Sequence, residues 1–259
     1  MFKKIFLSLL FFSIIFVLGF WLFLESSYRH QPKLTECFKS SRHNVGTCQY
    51  NNPNYVRLNE ISPDFKNSLL VFEDDKFYKH KGFDWIELKN SFWINLDAGK
   101  YERGGSTITQ QLVKNLYLSS EKKLYRKIVE AFFTYKIEKN YSKDLILEKY
   151  MNIAHFAPKT YGIKKAADRF FKKSPQDLNL LESLFTASVL SKPSVYSRLS
   201  KKILDLPPNY KARLKFRLER LHEREQISSE AYEETVPFLT EPLKKDEESL
   251  ESLTNDDKK

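Results

Sequence analysis

Residues 104–118 read GGSTITQQLVKNLYL, and this stretch constrains the fold more than any other part of the chain. Two glycines lead into Thr107 and Gln110, whose spacing is that of a capping box at the start of a helix. The apolar residues that follow at helical spacing are Ile108, Leu112, Val113 and Leu116. The stretch therefore predicts a capped helix with one buried apolar face.

Two segments farther along the chain carry similar helix signals. Residues 125–139 read YRKIVEAFFTYKIEK and have a wide apolar face at helical spacing. Residues 142–156 read SKDLILEKYMNIAHF and begin at Ser142, a residue type favoured as a helix cap. Both segments predict amphipathic helices.

Residues 174–193, SPQDLNLLESLFTASVLSKP, predict a further helix. Ser174 is the expected cap, Pro175 suits the first helical position, and Pro193 is expected to end the helix. Only 7 of the 259 residues are glycine, which disfavours a hairpin-rich β architecture. We expect a compact, mostly α domain.

Residues 5–24 read IFLSLLFFSIIFVLGFWLFL and contain no charge. At about 1.5 Å per residue, a helix of this length spans the roughly 30 Å hydrocarbon core of a bilayer. A signal peptide is the alternative, since Lys3 and Lys4 form a charged start. The apolar run exceeds the ~7–15 residues usual for signal peptides, which favours an uncleaved anchor. The two lysines predict a cytoplasmic N-terminus and a body outside the membrane.

The formal net charge of +10 indicates an anionic partner, which is a nucleic acid, a membrane surface or a phosphorylated substrate. The composition divides the chain into four parts. Residues 1–24 form the cytoplasmic start and anchor, and residues 25–55 are polar and predicted to form a stalk. Residues 56–235 form the helical domain, and the charged residues 236–259 are predicted to be a disordered tail.

Cys37 and Cys48 are the two cysteines of the chain, and both follow the anchor closely. In an oxidising compartment they would close a short loop and brace a segment with little core of its own. Two unrelated thiols are the alternative, which spacing alone does not exclude. Neither cysteine belongs to a zinc-like or redox CxxC pattern.

Residues 71–84 read VFEDDKFYKHKGFD, which places three successive acids against aromatic residues. An acidic run on a protein surface normally sits among polar residues. Apolar neighbours such as Val71, Phe72 and Phe77 disfavour the charged form of a carboxyl group and make it a stronger base. The stretch therefore differs from an ordinary acidic surface run, and the residues alone do not say which of its acids is reactive.

A cluster of basic residues is the second candidate feature. The glycine turn before Ile108 opens a helix whose N-terminus favours an anion, and Lys114, Arg126 and Lys127 follow. Together they suit a phosphate or pyrophosphate, although an ordinary loop with solvated basic residues has the same pattern. Glu130 lies four residues after Arg126, which fits either an exposed salt bridge or a second active-site carboxylate.

Four strings occur in a fixed order behind the single anchor: EDDKFYKHKGFD, RGGSTITQQLVKNLYL, RKIVEAFFTYKIEK and LILEKYMNIAHF. This series resembles glycosyltransferase family 51, the peptidoglycan glycosyltransferases, in their monofunctional form. The resemblance covers roughly residues 61–196. It implies a lysozyme-like helical domain that polymerises lipid II into β-1,4 glycan strands and releases polyprenyl pyrophosphate, on the outer, periplasmic face of the cytoplasmic membrane.

The resemblance also implies roles for individual residues. Glu73 falls on the family's catalytic base and Glu130 on its second glutamate. Lys114 and Arg126 fall on the residues that hold the donor pyrophosphate, and Lys127 completes that motif. The other positions expected to bind substrate are Asp74, Phe77, His80, Ser106, Thr107, Gln110, Gln111, Tyr150 and Asn152. Departures from the family pattern occur at His155 and Ala157, and the lead-in SLLVFED is bulkier than usual before the first glutamate.

The partners implied are lipid II, the growing glycan chain on its polyprenyl pyrophosphate, membrane lipids, and other proteins of cell-wall synthesis and division, with no nucleic acid. Asp74 and Asp75 are candidate ligands for Mg²⁺ or Mn²⁺, but they are equally compatible with an acidic surface pair, so no cofactor is predicted. Two alternatives remain: a lysozyme-like enzyme that cleaves the same glycan with paired carboxylates, and a non-catalytic cell-wall partner with the same fold.

Overall fold

The computed structural model describes residues 2–100, 104–119, 124–199 and 206–240. The described part is mostly helical, which confirms the predicted fold class. Its α-helices are α1 (Phe2–Arg29), α2 (Pro63–Glu73), α3 (Trp85–Ala98), α4 (Ile108–Tyr117), α5 (Leu124–Asn140), α6 (Lys143–Ile153), α7 (Ile163–Phe171), α8 (Leu180–Val189), α9 (Pro193–Tyr196), α10 (Pro208–Glu223) and α11 (Ser229–Thr240). Two short strands, β1 (His155–Ala157) and β2 (Thr160–Tyr161), pair antiparallel.

Helix α1 contains the predicted membrane span. Residues Ile5–Arg29 have a mean hydropathy of 2.7 and are long and apolar enough to cross a membrane. The last turns of α1 pack on α5, where the rings of Trp21 and Phe132 lie 5.0 Å apart and Glu25 forms a 2.6 Å ion pair with Lys136. This apolar helix is therefore joined directly to the helical body.

Helix α4 lies in the middle of the first hydrophobic cluster and packs against α5 and α6. Its predicted apolar face is buried, and the capping box of Thr107 and Gln110 begins the helix as predicted. Ser142 also caps α6 as predicted, because its side chain accepts a hydrogen bond from the backbone N–H of Leu145. These local signals were strong because, in each helix, the capping residue and the apolar periodicity predict the same starting point.

A second hydrophobic cluster joins α8, α10 and α11 to the end of α2. Val71 of α2 packs into this cluster, while Leu69 and Leu70 of the same helix pack into the first. Helix α2 therefore lies between the two clusters. Its last residue, Glu73, lies at their junction.

The helix predicted from Ser174 begins later than expected. Helix α8 starts at Leu180, and its cap is Asn179 in a capping box with Glu182. Residues 175–178 form a turn instead, so the predicted cap at Ser174 and the first-turn role of Pro175 are wrong. Asn179 accepts a hydrogen bond from the first turn of the helix, so the helix begins there and not at the earlier Ser174.

The segments on either side of the predicted domain pack on it. In the predicted stalk, Leu34 is fully buried and its backbone N–H donates to the Tyr141 hydroxyl over 3.2 Å. Helix α11 runs to Thr240, beyond the predicted boundary at residue 235, because Leu239 packs into the second cluster. Residues 241–259 of the predicted tail lie outside the described residues, and the division into four parts stays a prediction.

Cys37 and Cys48 are joined in a disulfide, as predicted. Residues 37–48, the disulfide loop, fold back on themselves through hydrogen bonds from Thr47 N–H to Phe38 C=O (3.0 Å) and from Ser40 N–H to Val45 C=O (2.8 Å). The disulfide therefore closes a small hairpin-like turn that carries residues 40–45 at its tip.

Candidate active site

The carboxyl group of Glu73 is held in one orientation by a short hydrogen-bonded chain. The amide of Gln111, on α4, donates from Nε2 to Oε2 of Glu73 over 2.8 Å. The hydroxyl of Tyr150, on α6, donates to Oε1 of Gln111 over 2.9 Å. Tyr150 is buried, and burial raises its pKa well above the usual range, so it keeps the proton that it donates. Three helices thus meet at one carboxylate.

Two opposing influences set the proton affinity of Glu73. Burial raises the pKa of this carboxyl group above its ordinary value of 4.5, because desolvation disfavours the charged form. The Gln111 hydrogen bond and the positive charges of Arg213, Lys114 and Arg217 oppose this rise. Burial dominates, so the group binds a proton more tightly than an exposed glutamate does.

Asp74 and His80 connect the Glu73 segment to the start of α4. The Asp74 carboxylate accepts a hydrogen bond from the backbone N–H of Ile108 over 2.9 Å and contacts His80 Nε2 at 2.9 Å. Because the backbone N–H of Gly82 donates to Nδ1 of His80, the proton of the imidazole lies on Nε2 and is donated to Asp74. Both side chains are committed to protein partners, and we assign them to positioning rather than to substrate contact.

Thr107 and Gln110 are also buried by the fold. Besides capping α4, Thr107 donates from its hydroxyl to the carbonyl of Gly82 over 2.8 Å. Gly82 has φ +95°, and a Cβ there would lie 3.0 Å from side-chain atoms of Thr134 and Glu138. The glycine therefore lets the Glu73 segment pass close to α5 and bond to the cap of α4.

Two further predicted substrate contacts lie in the interior. Asn152 is fully buried, and its amide exchanges two 2.8 Å hydrogen bonds with the backbone of Val56. Phe77 is almost fully buried, with the ammonium of Lys143 4.2 Å from its ring centre. These side chains hold the polypeptide together around the site, and their predicted contact with substrate stays a prediction.

The predicted basic cluster is assembled around Lys114. Burial lowers the pKa of Lys114, the positive charges of Lys127 and Arg126 lower it further, and the negative charge of Glu130 raises it. The Nε of Arg126 is buried and has no hydrogen-bond partner among the described residues. Ser106, at the N-terminus of α4, is exposed. An anion at this place would relieve the repulsion between cations and satisfy the unpaired donor.

Glu130 lies inside the cluster and not on the surface. Its side chain is 3% exposed, and it forms a 2.5 Å ion pair with Lys127. Its partner Lys127 lies three residues before it, whereas the sequence suggested a surface pair with Arg126, which lies four residues before it. The fold therefore excludes the exposed-salt-bridge interpretation of Glu130.

The two aspartates considered as metal ligands do not form a metal site. Asp75 pairs with Arg220 at 2.6 Å and with Arg224, while Asp74 is occupied by Ile108 and His80. Within residues 2–100, 104–119, 124–199 and 206–240, no group of three or more histidine, cysteine or acidic side chains could hold a metal ion. The donor set does not fit a divalent cation, and no step is assigned to one.

The sequence analysis missed a row of arginines on α10. The guanidinium groups of Arg213 and Arg217 lie 5.5 and 5.3 Å from the ring centre of Phe72, next to Glu73. Arg220 and Arg224 continue the row and bind Asp75. A spacing of four, three and four residues places all four on one helix face, which is the signal that was available.

Comparison with known proteins relates this geometry to a family. The model of the Transglycosylase family matches residues 41–224. A monofunctional glycosyltransferase of Staphylococcus haemolyticus (strain JCSC1435) is 34% identical over 246 residues, which are 92% of this chain and 84% of that protein. A biosynthetic peptidoglycan transglycosylase of Acinetobacter baylyi is 34% identical over 185 residues, 71% of this chain and 83% of the relative.

Larger proteins contain a similar stretch. Penicillin-binding protein 1A of Clostridium perfringens (strain 13 / Type A) is 37% identical over 188 residues, which are 70% of this chain and 27% of that protein. The chain thus spans about a quarter of the length of the penicillin-binding proteins 1A that it matches in this species.

Proposed function

This chain belongs to the Transglycosylase family, and on that premise we propose that it is a peptidoglycan glycosyltransferase that polymerises lipid II. The growing chain on its polyprenyl pyrophosphate is the donor, and the next lipid II is the acceptor. The product is a β-1,4 glycan, because the attacking hydroxyl approaches opposite the α-linked leaving group. The names of the relatives and the family match support this activity.

Glu73 is the general base in this proposal. It takes the proton of the acceptor 4-hydroxyl while that oxygen bonds to the anomeric carbon of the donor and the bond from this carbon to pyrophosphate breaks. The raised pKa supports this role, since a base of higher proton affinity accepts a proton more readily. Gln111 engages Oε2 of Glu73, so we assign proton transfer to Oε1.

Lys114 and Arg126 stabilise the leaving pyrophosphate, which gains negative charge as its bond to the sugar breaks. One observation carries the proposal: Gln111, whose amide binds the carboxyl group of Glu73, lies three residues before Lys114 on α4. Residues three apart share one face of a helix, so α4 links the proposed base to the cluster proposed for the leaving group.

This arrangement favours a transferase over the glycan-cleaving alternative. A hydrolase with paired carboxylates needs a second carboxyl group that acts on sugar or water. Here Glu130 is bound to Lys127, and excess positive charge surrounds it. A non-catalytic partner would not need the hydrogen-bonded chain from Tyr150 to Glu73.

The protein is proposed to act at the cytoplasmic membrane, with α1 as a single-pass anchor, a cytoplasmic N-terminus and a periplasmic catalytic domain. The length and hydropathy of α1 support the anchor. Helix α3 supports contact with membrane lipids, because Trp85, Phe92 and Trp93 are exposed on it. Other proteins of cell-wall synthesis and division are proposed partners.

The test is incubation of the purified full-length chain with lipid II in detergent, with products separated by length. We expect glycan strands of increasing length and release of polyprenyl pyrophosphate. A second reaction supplies finished glycan without lipid II. Shortening of that glycan, with no polymer formed from lipid II, would show a hydrolase and overturn the proposal.

A further inference from the structure

The tip of the disulfide loop docks on the C-terminal end of α4. The backbone N–H of Ser41 donates to the carbonyl of Leu116 over 2.9 Å, and the N–H of Arg42 donates to the carbonyl of Asn115 over 3.2 Å. The last carbonyls of a helix have no partner within the helix and need donors from elsewhere. This docking fixes Arg42 beside the helical turn that carries Lys114.

A ring stack holds the same tip from its other side. The imidazole of His43 stacks on Tyr161 of β2 with centroids 4.6 Å apart, and Tyr161 stacks on His155 of β1 at 4.9 Å. With α4 on one side and the β1–β2 hairpin on the other, the backbone of residues 41–43 has little freedom to move. The position of Arg42 is therefore set by the fold and not by its own side chain.

Positive charge accumulates where the tip docks. Arg42 is half-buried and forms no salt bridge with a described carboxylate. Its charge adds to burial in lowering the pKa of Lys114, and also contributes to the lowered pKa of His155. The pKa of His43 falls to about 4, chiefly through burial, so this imidazole is neutral near pH 7. Arg42 and Lys114 are therefore the charged side chains that lie close together at this place.

Holding two cations together on a partly buried surface costs free energy that an anion recovers on binding. Guanidinium groups bind phosphate oxygens through paired, charge-assisted hydrogen bonds. A pyrophosphate offers oxygens on two phosphorus atoms, enough for several cations at once. The unpaired Nε of Arg126 and the neighbouring Lys114 already indicate an anion at this place.

We propose that Arg42 is a further donor-site cation, which the disulfide loop delivers to bind the pyrophosphate of the donor together with Lys114 and Arg126. This inference rests on the proposed function and deepens it. The site is thereby built from a segment before the helical domain as well as from α4 and α5. The disulfide has a functional consequence in addition to its effect on stability.

The test compares Arg42→Ala with Lys39→Ala in the full-length protein. Lys39 is an exposed cation on the same loop, so its removal changes net charge equally without touching the docked tip. We expect Arg42→Ala to raise the KM for lipid II and to weaken inhibition by inorganic pyrophosphate, each about tenfold, with an unchanged Tm. Lys39→Ala should match the parent in both measurements. Arg42→Lys retains the charge and should recover most of the pyrophosphate inhibition.

Equal KM and equal pyrophosphate inhibition in Arg42→Ala and Lys39→Ala would overturn the inference while leaving the proposed function intact. An Arg42→Lys variant as poor as Arg42→Ala would show that packing, not charge, matters, and would overturn it as well. A parent protein that makes no polymer would instead refute the proposed function. In that case calorimetric titration of the same variants with inorganic pyrophosphate shows, independently of polymerisation, whether Arg42 binds pyrophosphate.

Discussion

At the scale of single residues, the site combines a carboxyl group whose pKa is raised by burial with nearby cations that limit this rise. Glu73 is desolvated at the end of α2, yet Gln111 and the α10 arginines limit the rise of its pKa. A carboxylate with raised proton affinity is a better proton acceptor during the reaction than an exposed glutamate. The consequences can be measured one side chain at a time.

Glu73→Gln should nearly abolish polymerisation. Glutamine keeps the size and can still bond to Gln111, but it cannot accept a proton, so the rate should fall by about 10²–10⁴-fold. The measurement is the initial rate of glycan formation, with Tm and pyrophosphate affinity as controls that should not change. Polymerisation by this variant at the parent rate would exclude Glu73 as the base.

The pH dependence follows from the raised pKa of Glu73. The base acts only when deprotonated, so kcat/KM should rise with pH through a midpoint above the ordinary value of 4.5. Gln111→Leu removes the donor that lowers the pKa, so the rise should shift to higher pH. Gln49→Leu, at an exposed glutamine, is the control and should not shift it. A shift to lower pH in Gln111→Leu would contradict this account.

Glu130→Gln should weaken donor binding. Losing this buried carboxylate removes the partner that holds the ammonium of Lys127, so the cations of the cluster lose the arrangement that binds pyrophosphate. Pyrophosphate affinity, measured by calorimetry, should fall by roughly tenfold. Glu182→Gln breaks a similar pair with Lys173 on α8 and should leave affinity unchanged. The same loss in both variants would argue against a specific role.

At the scale of elements, the disulfide loop and the α4 cap join segments that are distant in the chain. Asp74 bonds to the first turn of α4, and the loop tip bonds to its last turn. Helix α4 is thus tied at both ends to segments that carry functional groups. Opening the loop by reduction of its disulfide, which loosens these backbone ties, should therefore lower the stability of the helical body.

Cys37 and Cys48 should resist alkylation in native protein purified without reductant, and both should react after reduction. Closing a loop with a sequence separation of 11 constrains the unfolded chain by about 3 kcal/mol, so reduction should lower the Tm by several degrees. Mass spectrometry after thiol trapping gives the first result and thermal unfolding the second. Two reactive thiols in the unreduced protein would refute the bond.

At the scale of the whole molecule, the apolar helix α1 and the helical body form one continuous unit. Helix α1 continues from its apolar run into packed contacts with α5, so the body is held close to the end of the span. A membrane-anchored enzyme positioned in this way meets a lipid-linked substrate without leaving the bilayer surface. Its orientation is open to direct measurement.

Protease added to intact spheroplasts should digest everything after about residue 25 and spare the N-terminus, because Lys3 and Lys4 favour the cytoplasmic side. Spheroplasts opened by detergent are the control and should lose the N-terminus too. Protection of the whole chain in intact spheroplasts would place the body in the cytoplasm and contradict the proposed function.

The sequence by itself determined an apolar helix long enough to cross a membrane, the helical class, the α4 and α6 caps and the order of the motifs. Each of these depends on residues a few positions apart, so local spacing and apolar periodicity carry the information. The same local rule failed at Ser174, where two caps competed and Asn179 formed the capping box. Local signals fix what a segment prefers, but not which of two neighbouring preferences prevails.

Only the tertiary structure decided which of the candidate residues pack inside the fold and which reach the site. Asn152 and Phe77 belong to strings typical of the family, yet the fold buries them and uses them internally. Arg42 and Arg213 come from distant parts of the chain and reach the Lys114–Glu73 region through the disulfide loop and the second hydrophobic cluster. No spacing rule connects such positions, because their proximity is produced by packing between elements and not by the geometry of any one helix.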